Sequence, residues 1–191
     1  MTMRHPAVLL CPLALLSATL GTLVPGPGWG EAPRLGLHLV LAGVWFGGVV
    51  ALGTWQWGQR SGWAAAVALI GTWVGWELAV NLALQMEDSW LKPTPLPPAL
   101  TLYACGLAAG ALGALITWAG VAANVDRMRT TGCVTAFVVT GAVLGLLLGL
   151  THNYDSAAVL LVPWQTAVAA VLGHCLIPGR GARAAQNVKT S

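Results

Sequence analysis

Charge is what this chain has least of. Nine basic and six acidic residues make up 8% of its 191 positions, where soluble globular proteins carry roughly 25%. With a mean hydropathy of +0.73, that scarcity excludes an ordinary soluble domain. The basic residues occur in ones and twos, with no cluster interleaved with aromatics, so nucleic acid is not an expected partner. Phenylalanine and tyrosine are also scarce, two of each against ten tryptophans. Trp29, Trp55, Trp57, Trp63 and Trp90 fall near the ends of apolar runs, where an indole sits well among lipid headgroups. Metal and redox motifs are missing: there is no CxxC, HxxH or HxxxH. Cys11, Cys105, Cys133 and Cys175 each lie in or at the end of an apolar run and read as small buried hydrophobes.

Long apolar runs are what the chain does have. A hydrocarbon core of about 30 Å takes roughly 20 helical residues. Six runs reach that length, at approximately 7–25, 35–55, 63–85, 99–121, 132–151 and 156–177. The expected fold is all-α, a polytopic membrane bundle of six transmembrane helices over residues 1–178, with a disordered polar tail over 179–191. Arg4 ahead of an apolar core leaves a cleaved signal as the alternative for the first run. The long core and the lack of a small-x-small cleavage site favour a retained helix. With six spans, Arg4, Arg60, Arg127, Arg129, Arg180, Arg183 and Lys189 share one side, and only Arg34 and Lys92 fall on the other. The positive-inside bias then puts both termini in the cytoplasm, in a bacterial inner (plasma) membrane, and cleaving the first run would leave the later loops on the same sides.

The pairs Gly43/Gly47, Gly71/Gly75 and Gly106/Gly110 and the series Gly141/Gly145/Gly149 fit GxxxG spacing and predict close helix packing. The connection 86–98, MEDSWLKPTPLPP, contains four prolines and is expected to be an extended outer loop able to cover a site. Pro163 in LVPWQT is expected to kink the last span beside Trp164 and Gln165.

The stretch Gly71–Trp90 organises the chemistry, because it places Glu77 inside a run long enough to cross a bilayer. Asn81 and Gln85 follow at i+4 and i+8, and Trp73 precedes by one turn, so a helix puts all four on one slowly drifting stripe. A carboxylate at that depth is a functional-site hypothesis by default. The expected topology puts Asn81 and Gln85 near the outer surface and Glu77 eight residues deeper, about 12 Å at 1.5 Å per residue. His38 falls near the outer end of the second span, and His152, Asn153, Tyr154 and Asp155 at the outer end of the fifth.

Neutral imidazole with carboxylate suits zinc, copper(II) or nickel. The candidate site therefore has His38, His152 and Asp155 as metal ligands, with Glu77, Asn81 and Gln85 as an ion or proton path. The metal would be copper or another divalent ion. Each residue has a plainer alternative: an interhelical hydrogen bond for Glu77, helix glue for Asn81 and Gln85, an interfacial position for His152, and N-capping of the last span for Asp155. His174 and Cys175, with Cys133 at the same inner end, form a second candidate for a soft metal. Trp45, Trp73, Trp76, Trp118 and Trp164 lie deep, and read as core or as the lining of a pocket for a flat apolar ligand or a cation. Haem is disfavoured, since His38 and His152 are both outer and His174 is inner.

Residues 37–52, LHLVLAGVWFGGVVAL, resemble the His-containing helix of bacterial copper-resistance D-type membrane proteins, through His38, Trp45, Gly47 and Gly48. The resemblance covers these 16 residues and implies copper handling across the inner membrane with His38 near the metal. No methionine-rich entry motif accompanies it, the four methionines being Met1, Met3, Met86 and Met128.

Two functions follow. One is handling or transport of a small cation, a copper-like metal or a proton, through an outward-facing polar site. The other is an accessory subunit of a larger respiratory, photosynthetic or monooxygenase membrane complex, in which glycine and tryptophan faces dock lipid, partners or a second copy. Catalysis would need a nucleophile or an acid–base pair, for which only Tyr154 beside His152 and Asp155 is available, so a non-enzymatic role is favoured.

Overall fold

A computed structural model of the chain describes residues 5–23, 41–154 and 156–177, with the backbone alone at His152 and Asn153. His38, Asp155 and the tail expected to be disordered lie outside the described residues. The described residues are helical and contain no strand. In chain order the helices are α1 (Pro6–Leu23), α2 (Leu41–Gly53), α3 (Gly62–Gln85), α4 (Pro98–Ala122), α5 (Thr131–Gly145), α6 (Leu148–Tyr154) and α7 (Ala158–Cys175). Five helical segments among them are long and apolar enough to cross a membrane: Pro6–Leu23, Gly62–Leu91, Pro98–Ala122, Thr131–Thr151 and Ala158–Cys175. Val8, Leu16, Ile70, Leu78, Val139 and Val143 are exposed on their outer faces. Such a surface suits lipid better than water and marks a multi-pass membrane protein.

The helices close into a ring. α1 packs on α2, α2 on α3, α3 on α4, α4 on α5 and α6, α5 on α7, and α7 back on α1. Glycine spacing sets these contacts, because without side chains two backbones can approach within van der Waals distance. Gly43 and Gly47 of α2 lie against Trp76 and Leu69 of α3, and Gly71 and Gly75 against Gly120, Gly113 and Ile116 of α4. Gly106 and Gly110 of α4 mesh with Gly141 and Gly145 of α5 so closely that a methyl on any of the four would overlap the facing helix. Every glycine pair singled out by spacing is thus a helix contact.

Three sequence expectations change. The segment 86–98 is not a loop throughout, since α3 continues as a π-helical turn over Met86–Leu91 and only the residues after it form the connection. All four prolines come after Leu91, so no residue of Met86–Leu91 lacks the backbone N–H that a helix needs. The fifth run is broken between α5 and α6, where Leu147, Gly149 and Leu150 donate to carbonyls three residues back. There Gly145 and Leu148 are drawn against Gly106, and Gly149 against the Tyr103 ring. Trp45, expected to be deep, is 43% exposed. α7 runs through Pro163 as continuous helix.

One end of the ring holds Arg60, Arg127 and Arg129 and is held by hydrogen bonds. The Arg127 guanidinium donates to the Leu176 carbonyl after α7 (2.6 Å) and to the carbonyls of Trp57 (2.6 Å) and Gly58 (3.3 Å) in the π turn Thr54–Gln59 that extends α2. Arg129 donates to Ala122 and Ala123 at the end of α4. Helix C-termini carry unpaired carbonyls and a partial negative charge, which is why arginines satisfy them. Trp118 donates to the Met128 carbonyl (2.8 Å), fixing the α4–α5 connection.

Candidate functional site

Glu77 is held on α3, 6% exposed. Gly62–Leu91 forms a continuous helical column of 30 residues, longer than the roughly 20 that cross the hydrocarbon core. Glu77 therefore sits at its midpoint. Trp73 Nε1 donates to Glu77 Oε1 at 3.2 Å, and Asn81 Nδ2 donates to the Glu77 backbone carbonyl at 2.8 Å. The stripe read from spacing is thus joined turn by turn from Trp73 to Asn81, and half-buried Gln85 continues it at the end of α3.

The direction of Glu77 follows from its neighbours. Leu69 and Trp76 face Gly47 and Gly43 of α2, while Gly71 and Gly75 face α4. Val74, Ile70 and Leu78 are exposed. At about 100° per residue, Glu77 falls between the α2-facing line and the exposed line, on the edge of α3 nearest α2. It does not point into the middle of the ring.

The middle is occupied by indoles. Trp164 of α7 donates to the Gly141 carbonyl (3.1 Å) and meets Phe46 and Trp76 edge-on, with ring centroids 5.9 and 5.2 Å apart. Beside it lies a cavity of about 100 Å³ lined almost wholly by apolar groups, with Trp76 and Val80 of α3, Gly106 and Gly110 of α4, Leu148 of α6 and Trp164 on its walls. The glycines that let α4 close on α5 leave no side chains to fill the space under the two rings. Trp76 Nε1 is buried with no hydrogen-bond partner among the described residues, and such a group destabilises by about 1–3 kcal/mol. Toward α1, Ser17 Oγ donates to Gln165 Oε1 (2.8 Å), and Gln165 Nε2 reaches the Ala42 carbonyl (3.5 Å). Gln165 is thereby satisfied as helix glue among α1, α2 and α7.

At the end opposite the arginines, a groove of about 410 Å³ is lined by Glu87, Asp88, Lys92, Thr101, Tyr103 and Gly149, among others. The π turn forms one wall, and neither Glu77 nor Asn81 is among the lining residues. His152 lies on α6, which packs on α4 and α7, across the ring from the α2-facing edge of α3. The structure thus brings Trp73, Glu77 and Asn81 together and places α6 elsewhere. His38 and Asp155 lie outside the described residues, where the Asp155 cap also falls; Ser156 Oγ accepts from the Ala158 N–H at the start of α7. Among the described residues no three His, Cys, Asp or Glu side chains converge as a metal site would require.

The chain matches no protein-family model, no curated protein and no solved structure. Its chemistry rests on its own residues.

Sequence reasoning found the Glu77 stripe and offered Trp76 and Trp164 as pocket lining, as they are, but missed the Arg127 staple and the Ser17–Gln165 bond. Each of those two joins residues far apart in the chain, and only the lone Gln165 beside Pro163 carried a local signal.

Proposed function

We propose that the protein is a bacterial-type inner-membrane protein of six spans, with both termini cytoplasmic, which handles a small cation or proton at Glu77. The observation that carries this is a carboxylate at the midpoint of an apolar helical column, 6% exposed and accepting from the Trp73 indole N–H. A charge at that depth is costly unless it is used or paired, and indole donation holds one oxygen in place while the carboxylate exchanges an ion. Ring closure by α2 supports counting the second run as the sixth span. Arg60, Arg127 and Arg129 at one end support the orientation. Ions would arrive at the other end, where Glu87 and Asp88 line the open groove. His38, His152 and Asp155 are the proposed imidazole and carboxylate ligands if the cation is copper-like, which is also the expectation raised by residues 37–52.

Proteoliposomes carrying wild type or Glu77→Gln would be assayed for proton and copper flux. The expected outcome is loss of flux in the variant with unchanged assembly. Equal flux in both would remove Glu77 from the mechanism.

A second reading, an accessory subunit of a larger membrane complex, is favoured by the large apolar outer surface, on which Trp45, Trp55, Trp63 and Trp90 are 43–73% exposed. Stoichiometric co-purification with other membrane proteins in mild detergent would select it. A lone cation-binding species would select the first.

A further inference from the structure

At the arginine-bearing end, α5 begins and α7 finishes side by side, and each brings a cysteine to the contact. Cys133 lies in the first turn of α5, whose N-cap Thr130 accepts from the Cys133 N–H at 3.3 Å. Cys175 is the last residue of α7. The two side chains come from adjoining ends of packed helices, both are free thiols, and both are half-buried. They share the wall of an open groove of about 630 Å³ with Thr130 and His174, which is exposed. Neither thiol is used by the Glu77 stripe, which lies on another face and nearer the bundle's middle.

We infer that Cys133 and Cys175 form a binding site for a soft monovalent cation of the copper(I) or silver(I) class. Thiolate sulfurs select such d¹⁰ ions over harder divalent ones. Two sulfurs from facing helices supply the linear coordination that these ions accept, so the absence of a third convergent ligand among the described residues does not count against the site. Binding is a ligand exchange without redox change: two S–H bonds break, two metal–sulfur bonds form, and two protons leave to solvent.

The product carries one net negative charge. The α5 N-terminus is at Cys133. The Arg127 guanidinium is bonded to the carbonyl of Leu176, the residue after Cys175. This end is also the one that positive-inside bias assigns to the cytoplasm, where thiols stay reduced. His174, on the same groove wall, is placed to pass the ion to or from solvent.

The test is anaerobic titration of the purified full chain in detergent with copper(I), against a chromogenic copper(I) chelator of known affinity. The expected result is one ion per chain, with a thiolate-to-copper ultraviolet band. Cys133→Ser and Cys175→Ser each weaken binding by more than about 100-fold, beyond the 10–100-fold typical of losing an outer-shell partner. The double variant Cys11→Ser/Cys105→Ser binds as wild type, and the readout is thiolate-bound copper(I) and not flux, so failure at this site and failure of the Glu77 proposal are separable. Protection of Cys133 and Cys175 from maleimide by silver(I), read by mass spectrometry on wild type, tests the site without any variant. The inference is overturned by a wild-type chain that takes up no copper(I), by binding indifferent to both serine changes, by absent silver protection, or by a pair that closes to a disulfide and never holds metal.

Discussion

Arg127 tests how this bundle is held together. Its guanidinium bonds carbonyls at the C-terminal ends of α2 and α7, from the connection between α4 and α5, so one side chain ties three parts of the ring. The two 2.6 Å bonds are charge-assisted, each worth about 1.5–3 kcal/mol, and the longer bond to Gly58 shares a nitrogen with that to Trp57 and adds little. The ceiling is about 6 kcal/mol. Arg127 is half-buried at the end of the bundle, where water can replace it on exposed carbonyls, which brings the expected loss in Arg127→Met to about 2–3 kcal/mol.

Arg129 is the control. It caps only α4, and its pair with Asp126 at 3.3 Å joins side chains 56% and 85% exposed. Arg129→Met should therefore cost no more than about 1 kcal/mol. Unfolding in mixed micelles with rising SDS, followed by the fluorescence of the ten tryptophans, measures both. Arg127→Lys, which keeps a charge but can reach only one of the separated carbonyls, should recover about half the loss. Equal midpoints for Arg127→Met and Arg129→Met would refute the cross-link.

The same assay reaches other positions. Gly106→Ala should destabilise by about 1–3 kcal/mol through overpacking against Gly145 and Leu148. Gly48→Ala, with nothing within 4 Å, should be neutral or gain up to about 0.5–1 kcal/mol of helix stability; equal losses at the two sites would rule out glycine-mediated packing. Trp164→Phe leaves the Gly141 carbonyl without its donor, whereas Trp76→Phe removes an unpartnered N–H. The first should cost about 1–3 kcal/mol more than the second, and the reverse order would disprove the bonding pattern. Arg60 has φ of +50° after the π turn, a conformation costing a side-chain-bearing residue about 1–2 kcal/mol. Arg60→Gly should raise the SDS midpoint, and a lowered one would mean that the Arg60 side chain contributes more than the strain removes.

Much of the architecture was legible locally. Apolar run length located α1, α3, α4 and α7 to within a few residues and covered α5 and α6 with one run, because burying backbone in hydrocarbon leaves helix as the available solution for each run. GxxxG spacing located the helix contacts, since close approach depends only on side chains that are absent. The Glu77 stripe was legible for the same reason: i, i+4 and i+8 positions share a helix face whatever the helix packs on, and Trp73 and Asn81 do bond to Glu77. The chain Met86–Leu91 was misjudged because the prolines of its neighbours were spread over residues that contain none.

Composition and periodicity by themselves therefore determined an all-helical, multi-pass chain with a carboxylate inside its third run. Which way each helix faces was decided only in three dimensions. Ring order turns Glu77 toward α2, places α6 and its His152 across the ring, centres Trp164 on Phe46 and Trp76, and puts Cys133 on one groove wall with Cys175 from 42 residues away. The physical reason is that a lipid-solvated helix has no hydrophobic face dictated by water. Its rotation is set by glycine contacts and by the few polar bonds to other helices, and those partners are distant in sequence.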